Sequence, residues 1–506
     1  MTYRTSDEML TYNALDCAVT WQCADAFFSE IDNGYRKTYD HTIDLYGPLM
    51  YMMTRGIRVD HDRLADVKKD VDKQIASLTT QITERCGRWV NPNSSKQCQL
   101  YFYVEKKLPP YTKYNPKTKK SNITTDDKAL QRISRGTSAR KGLYEAKLMQ
   151  DYRRLVKLKG TYLDIVFDKD SRMRCSYNPR GTKFGRLSSS KTVFGTGMNM
   201  QNLPEAFLGF LVADEGCIFI ELDLRQAEWV VVAYDSGDAS MIKAVEEGLD
   251  VHAYTASQMF GVPIDIVQFE DKILGHTNDP EEVGKKRKMI RELDPYRENW
   301  IPRTMSMRQC GKKSNHGLNY DERKKTFALI NEITEKEAQV VIDLYRRIYP
   351  GIGRWYERIQ SQLGTDRTLF NCLGRKCRFL DRWNDDLFKA AYSFNPQSTV
   401  GEVVNRGMVD IYNAEDESLD GWEILRQVHD SINFQTSDCE ARNLAKGIRQ
   451  AARYLSPALS VSGREFTIAV DCKIGYSLDA MKEVPITDVE TMADSIRRVI
   501  SEFKET

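Results

Sequence analysis

Two aspartates stand where apolar runs break off. Asp223 comes at the end of CIFIELDL (residues 217–224), just before the polar pair Arg225–Gln226, and Asp430 sits beside His429 in the middle of QVHDSINFQ (residues 427–435). The flanking runs Trp422 to Val428 and Ile432 to Phe434 are rich in β-formers, so the second stretch reads as a tight hairpin with His429 and Asp430 at its tip. A turn aspartate by itself most often bonds the nearby backbone. A partner carboxylate at a second strand end changes the chemistry. Two carboxylates converging at the open face of one sheet repel unless cations lie between them. Two Mg²⁺ ions about 3.5–4 Å apart can activate an attacking oxygen and stabilise a leaving one in phosphoryl transfer. Whether the two aspartates meet is left open by the sequence.

A third stretch, RQCGKKSNHGLNY, offers the complementary charge. Arg308, Lys312, His316 and Tyr320 recur every four residues, so on a helix the row drifts only about 40° per step and stays on one face. Two cations one turn apart can hold a triphosphate while two rings further along meet a sugar and a base. In isolation, the same spacing also describes a basic solvated helix face.

The elements that must position these residues follow from the pattern. With 506 residues the chain should divide into subdomains with their own interiors. Its 74 basic and 72 acidic residues nearly balance, but residues 96–159 hold 17 Lys or Arg against 5 Asp or Glu, a stretch suited to a polyanion. The 11 cysteines form no CxxC and no zinc-ligand spacing, which favours reduced thiols in a cytoplasmic setting. No apolar run reaches the ~18 residues of a membrane span, and the first residues have no signal-peptide core. Residues 1–60 read as helical, ending in the turn TRGIRVD. From His61 to about Arg88, Leu64, Val67, Val71, Ile75, Leu78 and Ile82 recur at helical spacing. WVNPNSSKQCQLYFYVEKK reads as opening a capped helix, LPPYTKYNPKTKKSNIT as a Pro- and Lys-rich loop, and Ala139 to about Lys159 as a second long helix. Strand-like CIFIELDL and FTIAVDCKIG frame the rest, with helices between Ala239 and Gln362 and from Phe388 to Tyr412. The fold class implied is α+β: an antiparallel sheet with one helical subdomain inserted into it and another before it.

Taken together, the three stretches resemble the template-directed DNA polymerases of family A, the group of bacterial DNA polymerase I and phage replicative polymerases. LDLRQAE is similar to motif A, RQCGKKSNHGLNY to motif B and QVHDS to motif C. FGRLSSS with NMQNLP resembles the primer-binding segment, DVHAYTASQMFG the helix entering the fingers, LGRKCRFL the palm-side GR turn, and KAAYSFNPQST the minor-groove helix. The resemblance implies a right-hand polymerase fold with an antiparallel-sheet palm, helical fingers and a helical thumb. The ranges implied are a C-terminal remnant of an exonuclease-like domain at 1–40, a connection at 41–60 and a thumb at 61–160. Palm segments follow at 161–238 and 363–482, flanking fingers at 239–362 with an insertion at about 262–304, and a tail at 483–506.

Roles follow from the same resemblance. Asp223 and Asp430, with the Leu224 carbonyl, would hold two Mg²⁺, for which Mn²⁺ can substitute. Arg308, Lys312 and His252 would bind the triphosphate of an incoming dNTP, Lys312 also serving as general acid toward pyrophosphate. His316 and Gln226 would line the nucleotide site, and Glu228 with Tyr320 would form the wall that excludes a ribose 2′-OH. Arg186, Gln397, Asn202, Thr399 and His429 would contact primer–template DNA. Tyr12 and Asp16 resemble the last motif of a 3′–5′ proofreading exonuclease. Only 11 residues precede Tyr12, so the expectation is a chain that does not proofread alone: either the sequence is cut from a longer polypeptide, or a separate exonuclease polypeptide docks here, the helix itself also reading as one kept only for packing. Another replisome protein is a further candidate partner, and no membrane is expected.

The pattern is also broken in places. His316 stands where Phe or Tyr is usual, Asp321 where Gly is usual, Ser431 where Glu follows the motif C aspartate, and Ser393 where Asn is usual. The extra length between Gly261 and Met305 carries the basic run GKKRKMIREL, which either touches single-stranded template or a partner, or is a solvated helix. Two other classes stay open. A single-subunit RNA polymerase shares the two-carboxylate palm, although Glu228 would clash with a 2′-OH. An inactive DNA-binding accessory protein on this fold would have no use for the triphosphate residues.

Overall fold

The computed structural model describes residues 6–115, 120–137, 140–275, 277, 279–331, 333–438 and 440–505. The first helix, α1 (Ser6–Glu30), buries none of its residues. Two further helices lead to Gly56, whose φ of 65° ends the second of them. The expected turn TRGIRVD is therefore a helix end followed by a strand, Ile57–Val59, paired with Arg172–Met173 and Leu211–Val212.

Asp60 accepts from the Arg63 N–H and opens α2 (His61–Cys86), which buries Leu64, Val71 and Ile82 as the spacing required. Ser94 caps the next helix, which widens into π geometry over Leu100–Glu105. The Pro- and Lys-rich loop differs from expectation: Thr112–Asn115 and Lys120–Ile123 pair antiparallel, and residues 116–119 lie outside the described residues. The second long helix also starts later than expected. Residues after α3 (Asp127–Arg135) pair Gly136 with Lys141 and Thr137 with Arg140, so α4 spans Tyr144–Lys157. This helical unit has its own core, built on Ile82, Tyr101, Phe102, Leu130, Ile133 and Met149.

The remaining helices used below are α5 (Ala227–Ser236), α6 (Val251–Phe260), α7 (Ile264–Leu274), α8 (Pro280–Lys288), α9 (Met307–Leu318), α10 (Asp385–Tyr412) and α11 (Ala441–Leu455). The central sheet has five strands: β1 (Cys217–Leu224), β2 (Glu423–Val428), β3 (Ser431–Ser437), β4 (Val470–Gly475) and β5 (Lys482–Val484), in the order β2-β3-β1-β4-β5. All neighbours are antiparallel. In β1, Ile218, Ile220, Leu222 and Leu224 are buried on one face, against a side that α11 covers, whereas Glu221 and Asp223 rise from the other. FTIAVDCKIG is not one strand. Arg464–Phe466 pairs with Leu459–Val461, and Val470–Gly475 joins the sheet, its ladder carried one step further by the Arg225 N–H donating to the Ala469 carbonyl at 2.8 Å; the break falls just before, where the Ile468 carbonyl accepts from the Ser456 hydroxyl at 2.6 Å. Among the described residues, no helix is long and apolar enough to cross a membrane.

Helices α6 and α9 pack so closely that a Cβ on Gly311 would come within 2.3 Å of the His252 carbonyl oxygen and 3.1 Å of the Ala256 nitrogen. Gly364, in the helix Pro350–Asp366, faces open space. Gly311→Ala should therefore cost about 1–3 kcal/mol by overpacking, whereas Gly364→Ala should leave stability unchanged or raise it by about 0.5–1 kcal/mol. Thermal unfolding of the two variants checks this; equal midpoints would mean that the α6–α9 crossing is not tight.

Candidate active site

The sheet brings the two aspartates together. β1 pairs with β3 in a register that sets Asp223 opposite Ser431, and the Leu224 N–H donates to the Asp430 carbonyl at 3.0 Å. His429 and Asp430 alone form the turn between β2 and β3, with His429 in the left-handed region at φ 51°. Burial, and then the nearby Asp430 charge, push the Asp223 carboxyl up to about 8; burial also raises Asp430. No hydrogen bond from a described residue reaches the Asp223 side chain. On β4, Asp471 stands directly opposite Asp223, gripped by the Arg225 guanidinium, whose Nε lies 2.9 Å and 3.1 Å from its two oxygens. Ser431 donates its hydroxyl to the Val428 carbonyl at 3.1 Å, closing the turn. A half-buried, all-oxygen pair of carboxylates, both pushed toward the protonated form by burial and Asp223 further by the Asp430 charge, fits a hard divalent cation, which would restore both charges.

The basic row lies on α9, capped by Ser306, which accepts from the Gln309 N–H at 3.0 Å, and its His316 is near enough to feel the Asp430 charge. Arg308, Lys312 and His316 share one face of it. The helix ends at Leu318, so Tyr320 lies in the following turn, beyond the expected four-residue row. Arg308 Nε donates to Asp250 at 2.6 Å, and Asp271 lies 3.7 Å from the same guanidinium. Lys312 is exposed, with no ion-pair partner among the described residues. His252, on α6, is nearly buried, and burial lowers its ring to about 4, so it is neutral at pH 7. Its Nδ1 lies 3.1 Å from the Asn315 amide nitrogen, whose oxygen accepts from Thr255, so the ring proton belongs on Nε2 as a donor. The two imidazoles of His252 and His316 have centroids 5.7 Å apart. Gln226, in left-handed conformation at the start of α5, accepts from the Val251 N–H at 3.4 Å and ties α5 to α6.

Glu228 is held from two sides, by an ion pair with Arg186 and by the Tyr320 hydroxyl. Burial and this carboxylate keep the phenol protonated, so Tyr320 donates. Asp321 adopts φ 54°, a conformation natural to glycine and strained for aspartate. The Tyr356 hydroxyl, accepting from its N–H at 3.0 Å, and Arg346, 3.3 Å from its carboxylate, hold it there.

Lys312, His316, Tyr320 and Gln397 line one cleft of about 640 Å³ between α9 and α10. His429 and Asn202 are exposed. Thr399 is not where a DNA contact would need it: it is fully buried, its hydroxyl donating to Asn395 at 2.9 Å and accepting from the Cys372 N–H at 3.1 Å. Arg186, too, has its guanidinium on Glu228. Tyr12 and Asp16 lie on α1, exposed and remote in sequence from every residue above. Among the described residues no three His, Cys, Asp or Glu side chains group as a metal site.

Several supporting residues were not singled out from the sequence. Buried Gln427 donates to the His429 carbonyl at 2.8 Å and accepts from Gln201 at 2.8 Å, bracing the hairpin tip. Asp250 was signalled only by its place before VHAY, the cap position of α6. Asp471 and Asp271 had no local signal, since each matters only through a strand or helix distant in sequence.

Comparison with known proteins agrees with this geometry. The profile described as DNA polymerase family A matches residues 61–273 and 300–479. The thermostable DNA polymerase I of Thermus aquaticus is 27% identical over 433 residues, covering 81% of this chain and 45% of that protein. DNA polymerase I of Chloroflexus aurantiacus is 27% identical over 459 residues, 86% of this chain and 42% of the relative. The chain thus spans less than half the length of these relatives. Among solved structures, the POL domain of Pol1 from M. smegmatis in complex with DNA primer-template and dNTP matches with a TM-score of 0.69 at 25% identity, covering 87% of this chain and 70% of that one. The chain belongs to DNA polymerase family A and has the right-hand polymerase fold.

Proposed function

We propose that this chain extends a primer 3′ end on a DNA template, one dNTP at a time. The observation that carries the proposal is the pairing of Asp223 and Asp430 at adjoining strand ends, with the His316 ring within electrostatic reach of Asp430 on the helix that also carries Arg308 and Lys312, the latter without an ion-pair partner among the described residues. Asp223, Asp430 and the Leu224 carbonyl would hold two Mg²⁺, or Mn²⁺ in their place, which when bound lower the pKa of the 3′-OH and neutralise the triphosphate. Arg308 and Lys312 hold the triphosphate as charges, and His252 as a neutral Nε2–H donor. Lys312 delivers a proton to the departing pyrophosphate oxygen. Glu228, fixed by Arg186 and Tyr320, fills the space a 2′-OH would need. Gln397, Asn202 and His429 contact the primer–template, Arg186 doing so only after leaving Glu228.

The domain ranges are assigned on the same footing: thumb 61–160, palm 161–238 and 363–482, fingers 239–362, with the tail at 483–506. The separate core under Tyr101 and Phe102 and the basic excess around it support a thumb that tracks duplex backbone without reading sequence. Tyr12 and Asp16, on the exposed first helix, resemble the last motif of a 3′–5′ exonuclease, and among the described residues no group of three His, Cys, Asp or Glu side chains forms a metal site there for assisted hydrolysis.

Three outcomes are expected. Asp223→Asn and Asp430→Asn should each lower single-turnover primer extension by on the order of 10³-fold or more while duplex binding stays near that of the parent; activity within about tenfold of the parent would remove the metal assignment. Glu228→Ala should raise ribonucleotide use relative to dNTP by about 10- to 200-fold, and Tyr320→Phe, which keeps the ring but frees Glu228, by less. Unaltered sugar discrimination in Glu228→Ala would count against the gate. Given a mismatched primer, Mg²⁺ and no dNTP, the chain should leave the primer intact; trimming that persists in Asp430→Asn would show a hydrolytic centre elsewhere.

A further inference from the structure

Residues 274–299 lie outside the family match, yet one of their side chains is built into the start of the nucleotide-facing helix. On α8, Lys285 and Lys288 are exposed, but Arg287 turns inward. Its Nε donates to Glu270 at 2.7 Å, Nη2 lies 2.6 Å from the same carboxylate and donates to the Met305 carbonyl at 2.8 Å, and Nη1 donates to the Pro302 carbonyl. Glu270, on α7, is wholly buried, and its second oxygen accepts from the Met307 N–H at 2.9 Å. Met307 is the first residue of α9. The next α7 residue, Asp271, accepts from the hydroxyl of the capping Ser306 and lies beside Arg308.

The unpaired N–H groups at a helix start favour a carboxylate. A buried carboxylate, however, keeps its charge and place only beside a cation. Glu270 therefore holds the first turn of α9 only while Arg287 holds Glu270. We propose that Arg287 is a positioning residue for nucleotide binding, fixing through Glu270 the first turn of α9 and so the Arg308 guanidinium between Asp250 and Asp271, an inference that rests on the polymerase reading above. The basic run, read from the sequence as touching template or a partner or as a solvated helix, thus turns one of its two arginines, Arg287, toward the interior.

The test compares Arg287→Met, Arg287→Lys and, as a solvent control, Lys288→Met. Binding of the correct dNTP to the enzyme–primer–template complex is titrated with Ca²⁺ in place of Mg²⁺, so that no turnover intervenes. Arg287→Met should weaken dNTP binding by about tenfold or more, since small misplacement of a positioned group is costly, while primer–template affinity stays within about twofold. Arg287→Lys should recover part of the loss, and Lys288→Met should match the parent. The double variant Glu270→Gln/Arg287→Gln leaves no buried unpaired charge and serves where Arg287→Met does not fold; its dNTP affinity should fall by about fivefold or more. Unchanged dNTP affinity in either Arg287→Met or the double variant would overturn the proposal, as would a parallel loss of dNTP and duplex binding. Amide hydrogen exchange over residues 305–312 reads the same clamp without any nucleotide. Faster exchange there in Arg287→Met is expected and unaltered exchange would refute the clamp, so a parent that fails to extend primers would strike the polymerase reading and leave this test standing.

Discussion

Backbone pairing between Cys217–Leu224 and Ser431–Ser437 is the constraint on which the site depends. Seven residue pairs run from Cys217–Ser437 to Asp223–Ser431, and the Leu224 N–H continues the ladder to the Asp430 carbonyl. Since side chains alternate along a strand, a slip of one residue would turn Glu221 and Asp223 into the core and Leu222 out of it. Burial of Ile218, Ile220, Leu222 and Leu224 excludes that slip. The apolar face thus enforces the approach of two carboxylates that would otherwise separate, and burial of core offsets their repulsion.

Elsewhere in the site, charges come matched. Arg308 has Asp250 and Asp271, Glu228 has Arg186 and Tyr320, Arg287 has Glu270, and Arg225 has Asp471. Imbalance is concentrated at Asp223 with Asp430 on the sheet and at Lys312 on α9. Under the proposed function, a triphosphate carrying its divalent cations would be complementary to both at once: cations to the carboxylates, phosphate oxygens to the lysine. Matched neighbours keep the surrounding side chains in place before any ligand arrives, which is the condition for selective binding.

Departures from the family pattern have distinct physical standing. Asp321 occupies a conformation that explains why glycine is usual there, and its two tethers show how the strain is tolerated. Ser431 shortens a carboxylate position to a hydroxyl that closes the hairpin turn, while Asp471 faces Asp223 from the opposite strand. His316 places an imidazole beside the neutral His252 ring, and nothing in the structure explains that choice over Phe or Tyr.

How much could be read without the fold differs from residue to residue. CIFIELDL was legible as a strand to its last residue, and the tip at His429 and Asp430 as a turn, because alternation and turn chemistry are local. The amphipathic helix from His61 was legible for the same reason. FTIAVDCKIG reads as one strand by alternation, but its break depends on Ser456 engaging the Ile468 carbonyl and on Arg464–Phe466 pairing with Leu459–Val461 away from the sheet. Tyr320 fell off its helix because the end at Leu318 is set by the turn that carries Asp321. Thr399 looked available for DNA, but only packing of α10 shows it sealed between Asn395 and Cys372. Residue types and order along the chain therefore determined the fold family and which carboxylates and cations are candidates for the site, as chemistry and local periodicity reside in the chain itself. Which carboxylate opposes Asp223, what restrains Arg308, and that Arg287 points inward were decided only by tertiary structure, because each depends on two segments brought together across long sequence separations.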